Sequence, residues 1–458
     1  MKEIKADLAV IGAGSAGLSA ASGAAQLGLK VVLFEKGEMG GDCLNTGCVP
    51  SKALLAAANE KLPWADAQAR VRAAIAAIAP HDSQERFEGL GCVVVREAAR
   101  FVDARTLESP SVRVRAQRIV VATGSHAAVP PIPGFSDIPF LTNETVFSLN
   151  ELPKKLIVLG CGAIGAELGQ AFRRLGAEVT IIEPARTLAA FAPDLAAPVL
   201  AQLAADGIEL LEGWSATKIE AAPVGGVSVT VAKDSHVRTI EGSHLLLAAG
   251  RKLALDGLAL EKAGITLARG RVALSATLQS ANKRVFFLGD AAGRELLTHA
   301  AGWHASAFVR TALFKARTPA AAALIPAALY TDPEIAQIGM SEMEAKQKYG
   351  DKAQAVRAPF SGNDRAVCEA DPRGFAEIVV GPGAKLLGAS VVGREAGELI
   401  APMALALANK LTVRALTNPV LPYPTRSEVW KRAASLYYTP IVFSPRTRAL
   451  VSILKRLP

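Results

Sequence analysis

Two cysteines five positions apart, Cys43 and Cys48, stand in the segment Gly40-Gly41-Asp42-Cys43-Leu44-Asn45-Thr46-Gly47-Cys48-Val49-Pro50-Ser51-Lys52. Pro50 suits the first turn of a helix, because its fixed φ is already helical and its missing N–H is not needed there. A helix from about Pro50 through Ala58 puts Cys48 at the positive end of a helix dipole, where a thiolate is stabilised and its pKa falls. Thiols on adjoining turns can close a small, reactive disulfide ring that takes up and releases two electrons. Two buried thiols are the other reading, and the spacing alone leaves both open.

The elements that must position this segment repeat one pattern. Asp7–Ile11 reads as a strand, Gly12-Ala13-Gly14-Ser15-Ala16-Gly17 as the turn after it, and an Ala-rich helix follows to about Leu27. Val31–Glu35 is the next strand. Gly12 permits the tight turn, Gly14 lets the backbone approach a pyrophosphate, and Gly17 allows close helix–strand packing, while Glu35 can accept ribose hydroxyls. The same grammar restarts at Leu156–Leu159, with Gly160-Cys161-Gly162-Ala163-Ile164-Gly165 as the turn and Glu183 closing the next strand. Two such folds suggest two dinucleotides, one passing electrons to the other. An acid at Glu183 favours the ribose 2′-hydroxyl of NADH over the 2′-phosphate of NADPH, with Arg173, Arg174 and Arg186 near enough to soften that preference. Cys161 reads as a small packing residue.

Between and beyond these folds lie further markers. An amphipathic helical region extends to about Ala79, and the strand Ile119–Val121 runs into Ala122-Thr123-Gly124-Ser125. Pro130, Pro131, Pro133 and Pro139 mark a linker. Leu245–Ala249 ends similarly in Gly250, Arg284–Leu288 ends at Gly289-Asp290, and a helix is expected from about Thr298 through Phe314. From Ala327 the pattern becomes β-rich with two helices.

Composition narrows the function classes. The 458 residues are 50% hydrophobic and 5% aromatic, with 51 Lys+Arg against 42 Asp+Glu, a net charge of +9. The basic residues are scattered without aromatic interleaving, so no nucleic-acid module is expected; the mild excess at Lys431, Arg432, Arg446, Arg448, Lys455 and Arg456 reads as solvated surface. No apolar run approaches the ~20 residues of a membrane span. The chain enters a strand directly, without signal-peptide architecture, and five cysteines do not make a secreted disulfide framework, so a cytoplasmic setting is expected. No metal-ligating set is assigned.

Together these residues resemble the flavin-dependent pyridine nucleotide–disulfide oxidoreductases, the family of glutathione reductase, dihydrolipoamide dehydrogenase and mercuric reductase. The resemblance covers nearly the whole chain, including Tyr330-Thr331-Asp332-Pro333-Glu334-Ile335-Ala336. It implies an α/β fold with two Rossmann-like domains and a C-terminal α+β dimerisation domain: FAD-binding 1–150, NAD(P)-binding 151–262, a return to the FAD domain at 263–326, and an interface domain at 327–458. FAD contacts are implied at Gly12, Gly14, Ser15, Ala16, Gly17, Glu35, Lys36, Gly41, Asp42 and Lys52. Further FAD contacts are implied at Ala99, Ala122, Thr123, Gly124, Gly289, Asp290, Thr298, His299 and Ala300. The NAD(H) contacts are Gly160, Gly162, Ala163, Ile164, Gly165, Glu183 and Gly250. By the same resemblance Cys43 is the interchange thiol and Cys48 the charge-transfer thiol. Lys52 and Glu167 form an ion pair beside the reactive flavin nitrogen, and Asp290 is a ligand of the ribityl chain. The helix opening at Thr298 aims its N–H groups at the flavin's pyrimidine edge. Asp42 replaces a threonine common in relatives, a change expected to be tolerated because main-chain contacts dominate there.

One departure bears on chemistry. Disulfide-reducing relatives carry a His-Pro-Thr-x-x-Glu motif, whereas the matching stretch here is Pro422-Tyr423-Pro424-Thr425-Arg426-Ser427-Glu428, and no histidine follows His304. A phenol with an ordinary pKa near ~10 is a poor proton acceptor at neutral pH and is better suited to a hydrogen bond. Mercuric reductases also have tyrosine in this region but use a C-terminal cysteine pair, and residues 454–458 contain no cysteine. Tyr423 in a Pro-flanked packed turn is the bland alternative. Cys92 and Cys368 are expected to be structural thiols. The expectation is a homodimer in which Tyr423 and Glu428 of one subunit complete the other's site. Electrons pass from NADH through FAD and the cysteine pair to a thiol, metal-ion, quinone or other small acceptor. A dihydrolipoamide dehydrogenase and a flavin-based redox sensor without turnover are the alternatives.

Overall fold

In the computed structural model, residues 1–223 and 225–457 are described; Val224 and Pro458, the latter inside the expected third domain, lie outside the described residues. The chain divides into two compact units, residues 1–187 with 207–323, and 188–206 with 324–458.

The first unit holds two sheets whose parallel cores share one strand order; the first also carries an antiparallel edge, Thr106–Glu108 with Arg100–Phe101. Strand β1 (Lys2–Ile11) has a run of buried residues from Leu8 to Ile11, the mark of a strand covered on both faces. It pairs in parallel with β2 (Val31–Phe34) on one side and with β4 (Val112–Val121) on the other; β3 (Val93–Val95) extends the β2 edge. Helix α1 (Ser15–Gln26) connects β1 to β2, and a last strand, Val285–Phe287, pairs with β4. The second sheet places β5 (Lys155–Leu159) between β6 (Glu178–Glu183) and His244–Leu247, with Glu209–Glu212 outside β6 and helix α4 (Ala163–Arg174) connecting β5 to β6.

The two glycine turns superimpose in their logic. Gly12 and Gly160 have φ of +103° and +102°, and a side chain on either would strike a carbonyl, of Ala122 and Ala248 respectively. Gly17 and Gly165 each lie against the carbonyl of the first glycine in their own turn, leaving no room for a Cβ. Only glycine therefore lets α1 and α4 pack this closely on their strands. Both turns open at the carboxyl ends of parallel strands, where open α/β sheets bind ligands.

The second unit is built on a five-stranded antiparallel sheet, in the order Ala327–Leu329, Glu334–Gly339, Lys385–Gly393, Phe375–Gly381, Gln354–Pro359. Helix Glu428–Val442 buries Val429, Trp430, Ala433 and Ala434 in the same core as Ile338, Ile378 and Val391. The described residues contain seven helices beyond Ala327, not the two expected. Several are short and declared by caps rather than by periodicity: Ser341 and Glu344 form a capping box, and the Asn363 side chain accepts from the Ala366 N–H. Ala401–Ala408 is apolar all round and shows no helical stripe. Helix Pro193–Ala205, although it follows the second dinucleotide fold in sequence, belongs to this unit.

Candidate active site

The cysteine segment folds as two short helices, α2 (Gly41–Asn45) and α3 (Cys48–Asn59), so Cys48 is the first residue of α3 and sits at its positive end. Both cysteines are free thiols, the dithiol form, and they hydrogen-bond to each other. That bond holds the Cys48 thiol down to about 6 against the opposing effect of burial; the Thr298 hydroxyl and the Lys52 ammonium lower it further, while Glu167 opposes. The Thr298 Oγ1 lies 3.3 Å from Cys48 Sγ. Cys43 is pushed up, chiefly because it gives its hydrogen to Cys48 and also by burial, and hydroxyl hydrogen bonds with Thr298 and Ser15 only partly offset this. The two thiols therefore differentiate: Cys48 carries the thiolate and Cys43 keeps the proton.

Lys52 Nζ donates to Glu167 Oε2 at 2.7 Å, with the carboxylate only 6% exposed. The pair joins the cysteine helix to α4 of the second dinucleotide fold.

The adenine-side acids do the same work in both folds. Glu35 accepts from the Ala13 N–H at 2.6 Å and the Gly37 N–H at 2.7 Å. Glu183 accepts from the Cys161 N–H at 2.8 Å and the Ala185 N–H at 2.9 Å. Each carboxylate is thus fixed by backbone at the end of its second strand. Lys36 is exposed, Ala99 buried, and Cys161 buried as a packing residue.

Beside the first fold, the Thr123 hydroxyl is buried with no hydrogen-bond partner among the described residues. It follows Ala122 at the carboxyl end of β4, in the crevice beside the glycine turn. An unsatisfied buried hydroxyl at this position, with Asp290 across the strand ends and the helix at Thr298 opening next to Cys48, fits a flavin dinucleotide. Gly289 donates to the Nδ1 of buried His304 at 3.2 Å, which fixes the strand end carrying Asp290. Asp290 accepts from the Ser125 hydroxyl at 2.5 Å. Around Gly162 a Cβ would meet nothing within 4 Å, so the second turn is open to a nucleotide. Ala163, Ile164 and Gly250 line the same end of that sheet in sequence, Gly250 with φ +132°.

Asp42 corrects the expectation that its side chain is incidental. Its Oδ1 accepts from Thr46 Oγ1 at 2.6 Å and Asn143 Nδ2 at 2.9 Å, and its Oδ2 from Arg251 at 2.5 Å. Arg251 also donates to the Ser125 hydroxyl and carbonyl. A continuous polar chain therefore runs from the residue before Cys43 through Arg251 and Ser125 to Asp290. Threonine could not accept from arginine and asparagine at once with comparable strength. Sequence reasoning passed over Arg251, although its place directly after Gly250 at a strand end was the available signal.

In the second unit Tyr423 is exposed rather than packed, and its hydroxyl donates to Asp364 Oδ2 at 2.7 Å. That hydrogen bond and the nearby carboxylates of Asp364 and Glu428 raise the phenol's pKa. Glu428 Oε2 accepts from the Thr425 N–H at 3.1 Å, at the start of helix Glu428–Val442. Cys368 is a second correction: it is exposed, not structural, on the helix Asp364–Cys368, while Cys92 is buried as expected. The dipeptide Asn363-Asp364 had no chemical signal of its own.

Residues 6–305 match the family described as pyridine nucleotide-disulphide oxidoreductase, and residues 325–434 match its dimerisation domain. The chain belongs to this family, which is FAD-dependent and uses pyridine nucleotide; the dimerisation domain supports a homodimer. Among its relatives, a mercuric reductase of Staphylococcus aureus is 32% identical over 448 residues, covering 93% of this chain and 82% of its own. A dihydrolipoyl dehydrogenase of Chlamydia muridarum is 30% identical, covering 96% and 99%. The Cu(II) complex of RclA, an HOCl-induced flavoprotein disulfide reductase of Escherichia coli, is 25% identical over 94% of this chain and 99% of its own, with a TM-score of 0.86. Among the described residues no helix is long and apolar enough to cross a membrane.

Proposed function

We propose that the protein is an NADH-dependent flavoenzyme that delivers electrons from the Cys43–Cys48 pair to a metal ion such as Hg(II) or Cu(II). The carrying observation is the site's proton economy. Cys48 is held as a thiolate at neutral pH, whereas the phenol at the position of the family's histidine is bonded to Asp364 and raised further from neutrality. Such a site can bind a soft cation through sulfur, and its phenol is poorly suited to shuttling the proton that dithiol–disulfide exchange requires.

A flavin held by the first glycine turn, Thr123 and Asp290 beside Cys48 would supply two-electron transfer between a reduced nicotinamide and the cysteine pair. The chain's own residues then act in sequence. Lys52, oriented by Glu167, supplies positive charge beside Cys48, and Thr298 and Cys43 donate hydrogen bonds to its thiolate. Cys43 meets the acceptor. Oxidation of the thiol–thiolate pair to the disulfide releases two electrons and the single proton that Cys43 holds, enough electrons to reduce one Hg(II) to Hg(0) or two Cu(II) to two Cu(I). Asp42 and Arg251 hold the cysteine segment against the strand ends. The domain scheme follows: 1–150 with 263–326 hold the flavin, 151–262 the nicotinamide nucleotide with Glu183 favouring NADH, and 327–458 the interface. Tyr423 and Glu428 of the neighbouring subunit complete the site. The names of the mercuric reductase relatives and of the RclA copper complex support this class of acceptor. The dihydrolipoyl dehydrogenase relative and Glu183 support the second reading, which Tyr423 disfavours.

Steady-state NADH oxidation with Hg(II), Cu(II) and lipoamide as acceptors tests this, together with Tyr423→Phe and Tyr423→His. Metal-dependent turnover weakened by Phe, with lipoamide activity gained in the His variant, is expected. Rapid lipoamide turnover by the parent enzyme, unchanged in Tyr423→Phe, would overturn it.

A further inference from the structure

The helix Pro445–Leu454 contains no buried residue. Leu450, Val451, Ile453 and Leu454 project from it 48 to 64% exposed, and Leu457 just beyond is 64% exposed. At helical spacing these five fall on one face, with Arg446 on that face at the helix's N-terminal end, while Arg448, Ser452 and Lys455 fall on the other. The end of the preceding helix adds Ile441, Val442 and Phe443, 49 to 62% exposed. Contiguous apolar surface of this kind marks an interaction site rather than ordinary solvated surface. The tail expected to be solvated surface is therefore amphipathic.

Its charge is one-sided. After Glu428 the sequence has no Asp or Glu, while Lys431, Arg432, Arg446, Arg448, Lys455 and Arg456 are all basic. The match to the family's dimerisation domain ends at residue 434, short of this helix. A second copy of the same face would bring cations against cations, whereas anionic lipid headgroups would meet them with opposite charge.

We propose that the Pro445–Leu454 helix docks on the surface of an anionic lipid bilayer, its aliphatic face entering the headgroup–acyl boundary and its arginines and lysines lying at the phosphate level. This is peripheral attachment; a helix of ten residues cannot span. The proposal does not depend on which acceptor the cysteine pair serves.

The test is cosedimentation of the full-length FAD-loaded enzyme with phosphatidylcholine vesicles, with and without about one-third phosphatidylglycerol. Partitioning about tenfold greater on the anionic vesicles, falling as salt is raised, is expected. Leu450→Asp combined with Ile453→Asp should reduce it about tenfold, and Arg448→Gln with Lys455→Gln should remove the salt dependence, with NADH oxidation and the dimer both unchanged. A chain cut after Ser444 gives the same loss without new charges in the helix. Equal partitioning on neutral and anionic vesicles would overturn the proposal. So would a double variant that dissociates to monomer from a parent that binds neither vesicle, which would make this face a contact between copies of the chain.

Discussion

The two dinucleotide folds of the first unit share strand order, glycine φ angles and a backbone-anchored acid, yet they are finished differently. The first turn is covered: the Gly40 N–H donates to the Ala13 carbonyl at 2.9 Å, and a Cβ on Gly41 would stand 2.7 Å from Gly14 Cα. Its crevice also carries the orphaned Thr123 hydroxyl and the Asp42–Arg251–Ser125–Asp290 chain. The second turn is bare at Gly162, with no cysteine segment laid across it. A closed site suits a cofactor that stays, and an open one suits a nucleotide that comes and goes. One arrangement of strands and glycines thus supports two ligand lifetimes, set by what is packed on top of it.

Disabling the covered site's chemistry should have the largest effect. Cys43→Ser or Cys48→Ser should lower acceptor-dependent kcat about 10³-fold, while rapid-mixing absorbance still shows flavin reduction by NADH. Next in size, Gly17→Val and Gly165→Val each force α1 or α4 off its strand at a cost of about 1–3 kcal/mol. The first should purify with little flavin. The second should keep its flavin but raise KM for NADH; equal flavin content and equal KM in both would erase the distinction drawn between the folds. Lys52→Met should slow turnover about tenfold and also move a titration. Because the Cys48 pKa is depressed, its thiolate is present above about pH 6 and lost below, so long-wavelength absorbance of the two-electron-reduced enzyme should fade as pH falls through that value. Lys52→Met should shift that midpoint up, and Glu167→Gln, which removes an opposing charge, should shift it down. The smallest effect belongs to Glu183→Ala, with the NADH-to-NADPH ratio of kcat/KM falling about tenfold.

Much of this site was legible because its physics is local. Glycine turns, a strand-ending acid and a cysteine at a helix start are written within a few residues of one another. The Lys52–Glu167 pair spans 115 positions and was reached only through the family resemblance, yet it forms at 2.7 Å. What escaped reading was long-range and side-chain specific: Asp42 meeting Arg251 across 209 positions, Thr298 touching Cys48, and Tyr423 finding Asp364. None of these leaves a periodicity or a spacing in the chain. The C-terminal helices escaped for another reason, since short capped helices and an all-apolar one lack the 3.6-residue stripe by which helices are recognised.

The central claim is a thiolate at Cys48 lying against an oxidised flavin once the cysteine pair has been reduced. Anaerobic titration of the FAD-loaded enzyme with NADH, followed by absorbance, tests it most directly. A long-wavelength charge-transfer band that reaches its maximum after two electrons, before the main flavin band bleaches, is the predicted result. Flavin bleaching from the first additions, with no such band at any stage, would contradict it.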